Sequence, residues 1–560
     1  MVNFTLDLLT SAARLSKANF VKKTRKTAIV QEKFLLSLLE SYQDTELGQK
    51  YQFKQIKSID QFRERIPIVT YSSYEPYLKR IANGEQNILT PDPVVFLNLT
   101  SGSTGKQKLI PVTRQSRKIL NSVNRVSMGF IAEAARKRNL AIGKIFLTSS
   151  VKLYGRTDAG IDYGPASVSD IRLNSFLYKQ VFAFPYEALM PEDSLARNYT
   201  CLLFAMRNPS LKIIASNFPV LALQLCQYLE SNQEQMIDDI EKGTIASWLK
   251  LEPELRIKLE SKLSPSPNRA AQLRQILQDS GKLTPKLIWP NLSLITTALG
   301  GTSNFYLQRF PEYFGDTPIF GGIYASAEGT FGVYHDLNND GVILAIETGF
   351  FEFIPQEEWG VSQPNTLLAE ELKVGEFYRI LMSNYSGFYR YDIGDVVEVV
   401  GWYEKAPVIV FRHRLGGLLS STTEKTTEFH ATQVMQQLQT KFNLPLENFC
   451  ITLSEDEIPP HYLVNIELLA GHTLDNPEKF IAEFDRILQD IHASYAAKRA
   501  TQVPPPRLRI MASGSFATVR QRLLKRGVPA SQLKFPHVND DRQFLAGLNV
   551  EQEVKIPTFT

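Results

Sequence analysis

The stretch from Thr100 to Lys108 reads T-S-G-S-T-G-K-Q-K and places glycine, hydroxyl and lysine residues in one short segment. The apolar run V-V-F-L-N-L (94–99) precedes it, which predicts a buried strand that leads into a loop. Small residues let backbone N–H groups approach phosphate oxygens, and lysines neutralise their charge. The stretch therefore favours a phosphate-binding loop. On this motif alone, a polar surface loop is the alternative interpretation.

This loop is not a Walker P-loop. That motif requires G-x-x-x-x-G-K-[ST], whereas Thr100 stands five residues before Gly105 and Gln107 follows Lys106. Hydroxyl groups can still donate to phosphate oxygens, and ammonium groups can balance their charge. The side chains available for this are Ser101, Ser103, Thr104, Lys106 and Lys108.

Composition restricts the class of protein. The 560 residues are enough for two or three structural units, and 43% hydrophobic with 21% charged residues is typical of a globular protein. The net charge of +4 gives no reason to expect a nucleic-acid partner. The cysteines, Cys201, Cys226 and Cys450, form no C-x-x-C pair, and the seven histidines form no H-E-x-x-H pair, so a protein-held transition metal is not expected.

Targeting signals are not apparent. The N-terminal apolar stretch contains Asp7, and its basic cluster follows that stretch, which is the wrong order for a secretory signal. No run of about 18 uncharged apolar residues occurs, so no membrane span is expected. A cytoplasmic protein is the default expectation, with a monomer as the simplest oligomeric state.

The pattern of apolar residues predicts an α/β fold. The first ~90 residues read as helices that Pro67 and Pro76 interrupt, and short apolar runs then alternate with helical patterns. The charged stretch 233–286 reads as a helical excursion at the surface. After residue 415 the expected order is helix (427–442), strands (449–453 and 462–468), helix from Asn476, strand (508–511) and helix (516–525).

These elements divide into two predicted domains. A large N-terminal domain (1–414) carries β-sheets packed by helices, and a small mobile α+β domain (418–560) follows it. The glycine pair Gly416 and Gly417 makes 415–417 the expected hinge, because glycine absorbs large backbone rotations.

Two further motifs contain possible nucleotide ligands. In G-G-I-Y-A-S-A-E-G-T (321–330), Tyr324 could stack on a base and Glu328 could hold Mg²⁺, although an exposed glutamate in a turn is the simpler interpretation of this motif alone. In G-F-Y-R-Y-D-I-G-D-V-V-E-V-V-G (387–401), the alternation after Asp395 predicts that this residue starts a strand, where it could accept two ribose hydroxyls. A turn aspartate is the structural alternative.

The order of the motifs is more informative than any one of them. A hydroxyl-rich loop, Y-x-x-x-E, Y-x-x-G-D (391–395), Arg414, a glycine hinge and a late lysine in S-Q-L-K-F-P-H (531–537) resemble the layout of the ANL adenylate-forming enzymes. Within that superfamily the sequence is similar to the auxin-responsive acyl-acid amido synthetases, the Gretchen Hagen family. The matching segments run end to end and include W-P-N (289–291), F-F-E-F-I-P (350–355) and R-G-V-P-A-S-Q-L-K-F-P (526–536).

The resemblance implies an enzyme that uses ATP and Mg²⁺ to adenylate an acyl acid and then joins it to the amine of an amino acid. It also implies roles for particular residues. Ser101, Gly102, Ser103, Thr104 and Gly105 would cradle phosphates, Tyr324 would lie against adenine near Gly300 and Gly301, and Asp395 and Arg414 would hold ribose or phosphate. Glu328 would hold Mg²⁺, and Lys534 would stabilise charge that develops during adenylation.

Some positions depart from the family pattern. Ala327 replaces a usual hydroxyl residue, Gln107 replaces a usual proline, and Phe535 and His537 flank Pro536 where a small hydroxyl residue and an arginine are common. Two alternatives therefore stay open: a ligase whose acceptor is the thiol of CoA or a carrier protein, and a degenerate nucleotide-binding protein. The sequence does not identify the acyl acid or the amino acid.

Overall fold

The computed structural model describes residues 4–100, 108–173, 178, 181–301, 303–414, 418–422, 424–455, 457–500, 502–526, 528 and 533–556. The chain forms two compact units. The large unit comprises Met1–Ile393 and Val397–Phe411, and the small unit comprises Gly394–Val396 and Arg412–Thr560. Among the helices in the described ranges, none is long and apolar enough to cross a membrane.

The N-terminal part of the large unit is helical, as the sequence predicts. Thr45 and Ser58 begin two of these helices by accepting backbone N–H groups on their hydroxyl oxygens. The helices are α1 (Phe4–Thr24), α2 (Thr27–Tyr42), α3 (Glu46–Lys50), α4 (Ile59–Arg65) and α5 (Tyr71–Ala82), with a 3₁₀ turn at Phe53–Gln55.

The expectation that Pro76 interrupts the helical pattern is wrong. Helix α5 continues through Pro76 and buries Tyr74, Leu78 and Ile81 on one face. A proline inside a helix removes one backbone hydrogen bond. Burial of the three apolar side chains stabilises the helix by more than that loss, because each buried side chain contributes about 1.5–3 kcal/mol.

The rest of the large unit alternates strands and helices. The helices are α6 (Arg114–Lys137), α7 (Ala166–Leu173), α8 (Ser194–Met206), α9 (Pro219–Lys242), α10 (Pro253–Glu260), α11 (Pro267–Ser280), α12 (Pro285–Ile288), α13 (Ser303–Leu307) and α14 (Phe310–Phe314), with 3₁₀ turns at Tyr186–Leu189, Gln356–Glu358 and Ala369–Glu371. The stretch 233–286 is helical as predicted. Proline occupies the first turn of α9, α10 and α11, where its missing N–H is not needed.

The described strands of the large unit form three sheets. They are β1 (Val94–Thr100), β2 (Lys108–Thr113), β3 (Ile145–Leu147), β4 (Gly155–Arg156), β5 (Asp162–Pro165), β6 (Ile213–Ala215), β7 (Leu294–Thr296), β8 (Ile319–Phe320), β9 (Ile323–Ala325), β10 (Thr330–Tyr334), β11 (Val342–Leu344), β12 (Phe350–Pro355), β13 (Phe377–Ser383), β14 (Tyr391–Tyr403) and β15 (Ala406–Arg414). The sheet orders are β2-β1-β5-β4, β3-β6-β7-β8 and β12-β13-β14-β15-β11-β10-β9. The second sheet is parallel, as expected where helices connect successive strands.

The motif 387–401 forms the start of a long strand. Gly387 has φ +88°, and a Cβ there would lie 2.5 Å from the Leu89 carbonyl oxygen, so no larger residue fits. The prediction that Asp395 starts the strand is wrong, because β14 begins at Tyr391. The preceding aromatic residues are buried in the core, and their burial, rather than alternation alone, fixes where the strand begins.

The small unit is an α+β structure with the predicted order of elements. They are β16 (Leu418–Leu419), β17 (Thr426–Thr427), α15 (Glu428–Phe442), β18 (Leu446–Leu453), β19 (Tyr462–Leu468), α16 (Pro477–Ile491), α17 (Ala493–Arg499), β20 (Arg507–Met511), α18 (Ser515–Lys525) and β21 (Val550–Lys555). The main sheet has the order β18-β19-β20-β21. The sequence reading missed β21, an edge strand that is mostly exposed and lacks a clear apolar alternation.

Candidate functional site

The proposed phosphate loop joins two adjacent strands. Residues 101–107, and with them Ser101, Gly102, Ser103, Thr104 and Gly105, lie outside the described residues. Strands β1 and β2 on either side are antiparallel neighbours, and Thr100 pairs with Lys108. The buried strand predicted before the loop is confirmed, since Phe96 and Leu97 are buried.

The second motif forms the β9–β10 hairpin. Tyr324, in β9, stacks on Phe331 with ring centroids 4.9 Å apart and packs against Phe411 at 5.6 Å. Gly300 also lies against Phe411, because a Cβ at Gly300 would be 3.3 Å from the Phe411 carbonyl oxygen. The structure therefore places both Tyr324 and Gly300 against Phe411, and Gly301 follows Gly300 in the chain.

Glu328 lies in the turn of this hairpin and is 3% exposed, so it is not the exposed turn glutamate that was the simpler alternative. The Asn384 Nδ2 group donates to the Glu328 carbonyl oxygen at 2.8 Å, and the Tyr391 hydroxyl donates to Oε1 at 3.4 Å. Ser326 Oγ accepts the backbone N–H of Glu328 at 3.2 Å. These contacts fix both the backbone and the carboxylate of Glu328.

The Glu328 carboxylate has a suitable environment for a divalent cation. Within the described ranges, no lysine, arginine or histidine forms an ion pair with it. A buried carboxylate is costly unless a positive charge compensates it, and hard cations prefer such oxygen ligands. The residue present thus fits Mg²⁺, although the described residues contain no cluster of three or more potential metal ligands.

A cavity of about 110 Å³ lies beside this turn. Its polar walls come from β1, helices α6 and α7, the β9–β10 turn and the segment after β13, and they include Asn98, Arg117, Asp170, Glu328 and Asn384. Its apolar walls include Pro111, Val112, Ile119, Leu120, Ala327 and Tyr385. Glu328 is therefore one of the residues that line a cavity in the large unit.

The Arg117 and Asp170 side chains at this cavity are already engaged. One guanidinium nitrogen of Arg117 donates to the Leu173 carbonyl oxygen at 2.9 Å, and burial lowers the pKa of Arg117. Asp170 accepts a hydrogen bond from the Tyr178 hydroxyl at 2.5 Å. Sequence reasoning missed these residues because helical polar residues such as Arg117 carry no motif, whereas Asn98 gave a signal as the polar residue of an apolar strand.

Asp395 and Arg414 form a pair in the small unit. The Arg414 Nε group donates to Asp395 Oδ1 at 2.5 Å, and the Asp395 side chain is 2% exposed while that of Arg414 is 40% exposed. His413 lies next to this pair, and burial lowers its pKa, so it is neutral near pH 7. The structure therefore orients the Asp395 carboxylate through a hydrogen bond from a partly exposed arginine.

Lys534 is an exposed residue in a buried segment of the small unit. Leu533, Phe535 and His537 are buried, and the His537 ring stacks on Phe449 at 4.1 Å. The backbone N–H of His537 donates to the Glu428 carboxylate at 2.8 Å, and Lys534 interacts electrostatically with the same carboxylate. The exposed Lys534 side chain thus lies in a segment whose neighbouring residues, Leu533, Phe535 and His537, are buried.

The fold is that of the adenylate-forming enzymes. A solved 2-hydroxyisobutyryl-CoA ligase in the postadenylation state, in complex with 2-HIB-AMP, matches with a TM-score of 0.51, 12% identity and coverage of 91% of this chain and 92% of that one. The GH3.15 acyl acid amido synthetase in complex with 2,4-DB matches with a TM-score of 0.86, 22% identity and 98% coverage of both chains.

Sequence comparison identifies the family. Models of the GH3 family N-terminal, central and C-terminal domains match residues 16–319, 342–414 and 429–543. An indole-3-acetic acid-amido synthetase, GH3.3 of Arabidopsis thaliana, is 26% identical over 543 residues, covering 92% of this chain and 89% of its own. The chain belongs to the GH3 family, which confirms the resemblance noted in the sequence, and its named relatives are amide-forming ligases.

Proposed function

We propose that this protein is an ATP-dependent acyl acid amido synthetase that uses an amino acid as the acceptor. Family membership over most of the chain and relatives named as amido synthetases support this proposal. The observation that carries it is the position of Glu328, a buried carboxylate at the rim of a cavity, with no basic partner in the described residues.

The proposed reaction has two steps. A carboxylate oxygen of the acid attacks the α-phosphorus of ATP, and pyrophosphate leaves. The amine of the amino acid then attacks the acyl carbonyl, loses a proton and expels AMP. Adenylation is needed because a carboxylate is a poor electrophile, whereas AMP is a far better leaving group than oxide.

Each residue role follows from its position in a motif or its surroundings. We assign the phosphates to 101–105, adenine to Tyr324 with Gly300 and Gly301, and ribose to Asp395 with Arg414. Lys534, an exposed residue between the buried Leu533 and Phe535, supplies positive charge to the transition state of adenylation. Mg²⁺ bound by Glu328 would neutralise phosphate charge, and the cavity beside Glu328 would hold the acyl group.

The domain boundaries also remain a proposal. We assign 1–414 to the adenylation domain, 415–417 to the hinge and 418–560 to the C-terminal domain; the hinge lies outside the described residues. A cytoplasmic monomer is the simplest form, and the three buried free cysteines are compatible with a reducing compartment.

A matrix of acyl acids and amino acids tests the function. AMP release is measured for each pair, with CoA replacing the amino acid as the acceptor in a parallel series and with acid omitted as the blank. We expect AMP release that requires both an acid and an amino acid. Stimulation by CoA alone would establish the thiol ligase instead, and no pyrophosphate exchange with any acid would indicate a degenerate nucleotide-binding protein.

A further inference from the structure

Glu428 lies where helix α15 meets the segment that carries Lys534. It is the first residue of the helix and directly follows the cap residue Thr427. Its Oε1 accepts the backbone N–H of His537, three residues beyond the lysine, at 2.8 Å. One carboxylate therefore connects the start of α15 to residues 533–538, which we call the lysine segment.

Strand β18 fixes the lysine segment from another side. The backbone N–H of Ile451 donates to the His537 carbonyl oxygen at 2.8 Å. Leu533 and Phe535, on either side of Lys534, are buried in one apolar cluster of the small unit. These contacts hold the backbone of the segment. A lysine side chain still has several rotatable bonds, so its ammonium samples many positions unless another group restricts it.

The Glu428 carboxylate is a group that acts on this ammonium. Burial raises the pKa of Glu428 and the positive charge of Lys534 lowers it, so the two groups interact electrostatically. Two other titratable groups lie close by, and both are neutral near pH 7. Burial raises the pKa of the Cys450 thiol and lowers the pKa of His537 to about 3. The N-terminus of α15 also favours a negative charge at Glu428.

We propose that Glu428 is a positioning residue for Lys534: its carboxylate anchors the lysine segment and restricts the ammonium to the orientation that stabilises the transition state of adenylation. This inference rests on the proposed function, because the position of Lys534 matters only if the lysine acts in adenylation. A charge that is already oriented needs no reorganisation during the reaction. An ammonium group carries several donors, so one carboxylate leaves others for substrate oxygens.

The test removes the charge and keeps the hydrogen bond. Glu428→Gln retains an oxygen that can accept the His537 N–H, but it no longer attracts the ammonium. With the acid that gives the fastest pyrophosphate exchange, we expect kcat to fall about fivefold and the KM for ATP to stay unchanged, which corresponds to about 1 kcal/mol. Glu478→Gln is the matched control and should leave exchange unchanged, because Glu478 is an exposed acidic residue in the first turn of α16.

A double variant shows whether Glu428 acts through the lysine. Lys534→Ala alone should slow exchange at least about tenfold, and adding Glu428→Gln should slow it no further, because no ammonium is then left to orient. A carboxylate that only stabilised the fold would give losses that multiply. Thermal unfolding checks that each variant folds. If Glu428→Gln does not, Glu428→Asp, which keeps the charge but shortens the side chain, replaces it, and its loss should likewise disappear beside Lys534→Ala.

The possible outcomes separate this inference from the proposed function. Exchange by Glu428→Gln at the unaltered rate, or losses that multiply in the double variant, would overturn the role of Glu428 and leave the proposed function standing. An unchanged rate in Lys534→Ala would remove the role of the lysine, and this inference with it, while adenylation by the protein remained established. Absence of exchange with every acid would overturn the proposed function as well.

Discussion

Arg390, in the motif 387–401, provides the most direct test of how the large unit is held together. Its guanidinium donates to Glu352 Oε2 at 3.0 Å and to the carbonyl oxygens of Ile66 and Arg63 at 2.9 and 3.0 Å. The side chains of Arg390 and Glu352 are 6% and 1% exposed. Arg63 also contacts the Glu352 carboxylate, at 3.1 Å. Arg390, which directly precedes β14, thus connects β12 to the C-terminal end of helix α4.

Replacing this arginine with methionine keeps the volume and removes the charge. Arg390→Met would leave Arg63 as the remaining cation at the Glu352 carboxylate, and it would remove the side-chain donor from the carbonyl oxygens of Arg63 and Ile66. Breaking a buried ion pair from one side costs about 3–5 kcal/mol when the remaining charge has no partner. Arg63 stays beside Glu352, so we expect a loss near the lower end of that range, about 3 kcal/mol. Arg25→Met is the matched control, since Arg25 and Glu404 form an exposed pair worth at most about 1 kcal/mol.

Urea unfolding followed by tryptophan fluorescence measures this loss. All four tryptophans, Trp248, Trp289, Trp359 and Trp402, belong to the large unit, so the signal reports the unit that contains Arg390. The double variant Arg390→Met with Glu352→Met should lose less than the sum of the two single variants, because both members of the Arg390–Glu352 pair are then absent and only Arg63, whose side chain is 23% exposed, loses a partner. If Arg390→Met lowers the free energy of unfolding by less than about 1 kcal/mol, or if the losses of the two single variants add exactly in the double variant, this ion pair does not stabilise the large unit as argued.

Three further predictions concern catalysis and acid stability. Lys534→Ala should slow adenylation at least about tenfold, a loss of about 1.4 kcal/mol in transition-state stabilisation, while nucleotide binding persists; unchanged acyl-adenylate formation would remove the proposed role. Glu328→Gln should raise the Mg²⁺ concentration needed for half-maximal pyrophosphate exchange, and an unchanged Mg²⁺ titration would contradict metal binding there. Burial lowers the pKa of His537 to about 3, so below about pH 6.5 the unfolded chain binds a proton that the folded chain does not. Stability should therefore fall with decreasing pH by about 1.4 kcal/mol per unit for this residue. His537→Phe preserves stacking on Phe449 and should make the unfolding free energy depend less on pH, as measured by urea unfolding followed by circular dichroism. His472→Gln, at an exposed position, is the control and should leave the pH dependence unchanged. Equal pH dependence in His537→Phe and the unaltered protein would show that His537 is not buried in its neutral form.

The signature motifs combine structural and functional residues. In 387–401, Gly387 and Arg390 are explained by close packing and by a buried ion pair, whereas Asp395 is oriented by the partly exposed Arg414. The sequence shows all of them as one continuous motif. Only the contacts reveal that Arg390 belongs to a buried ion pair in the core and that Asp395 is paired with the partly exposed Arg414.

The sequence predicted the elements best where one face or a whole strand is buried. The strand before the loop and the order of helices and strands after residue 415 are confirmed, because apolar periodicity directly reflects burial. The start of β14, the continuity of α5 through Pro76 and the edge strand β21 were missed. Each of these depends on packing against distant parts of the chain, which local periodicity does not report.

By itself the sequence determined the α/β class, the GH3 family resemblance and the set of candidate ligands, because apolar spacing and ordered motifs are local properties of the chain. The tertiary structure decided which of these residues have partners. It paired Arg390 with Glu352 and left Glu328 buried without a described basic partner. Burial and hydrogen bonding are relations between residues that are far apart in sequence, and only the folded chain brings them together.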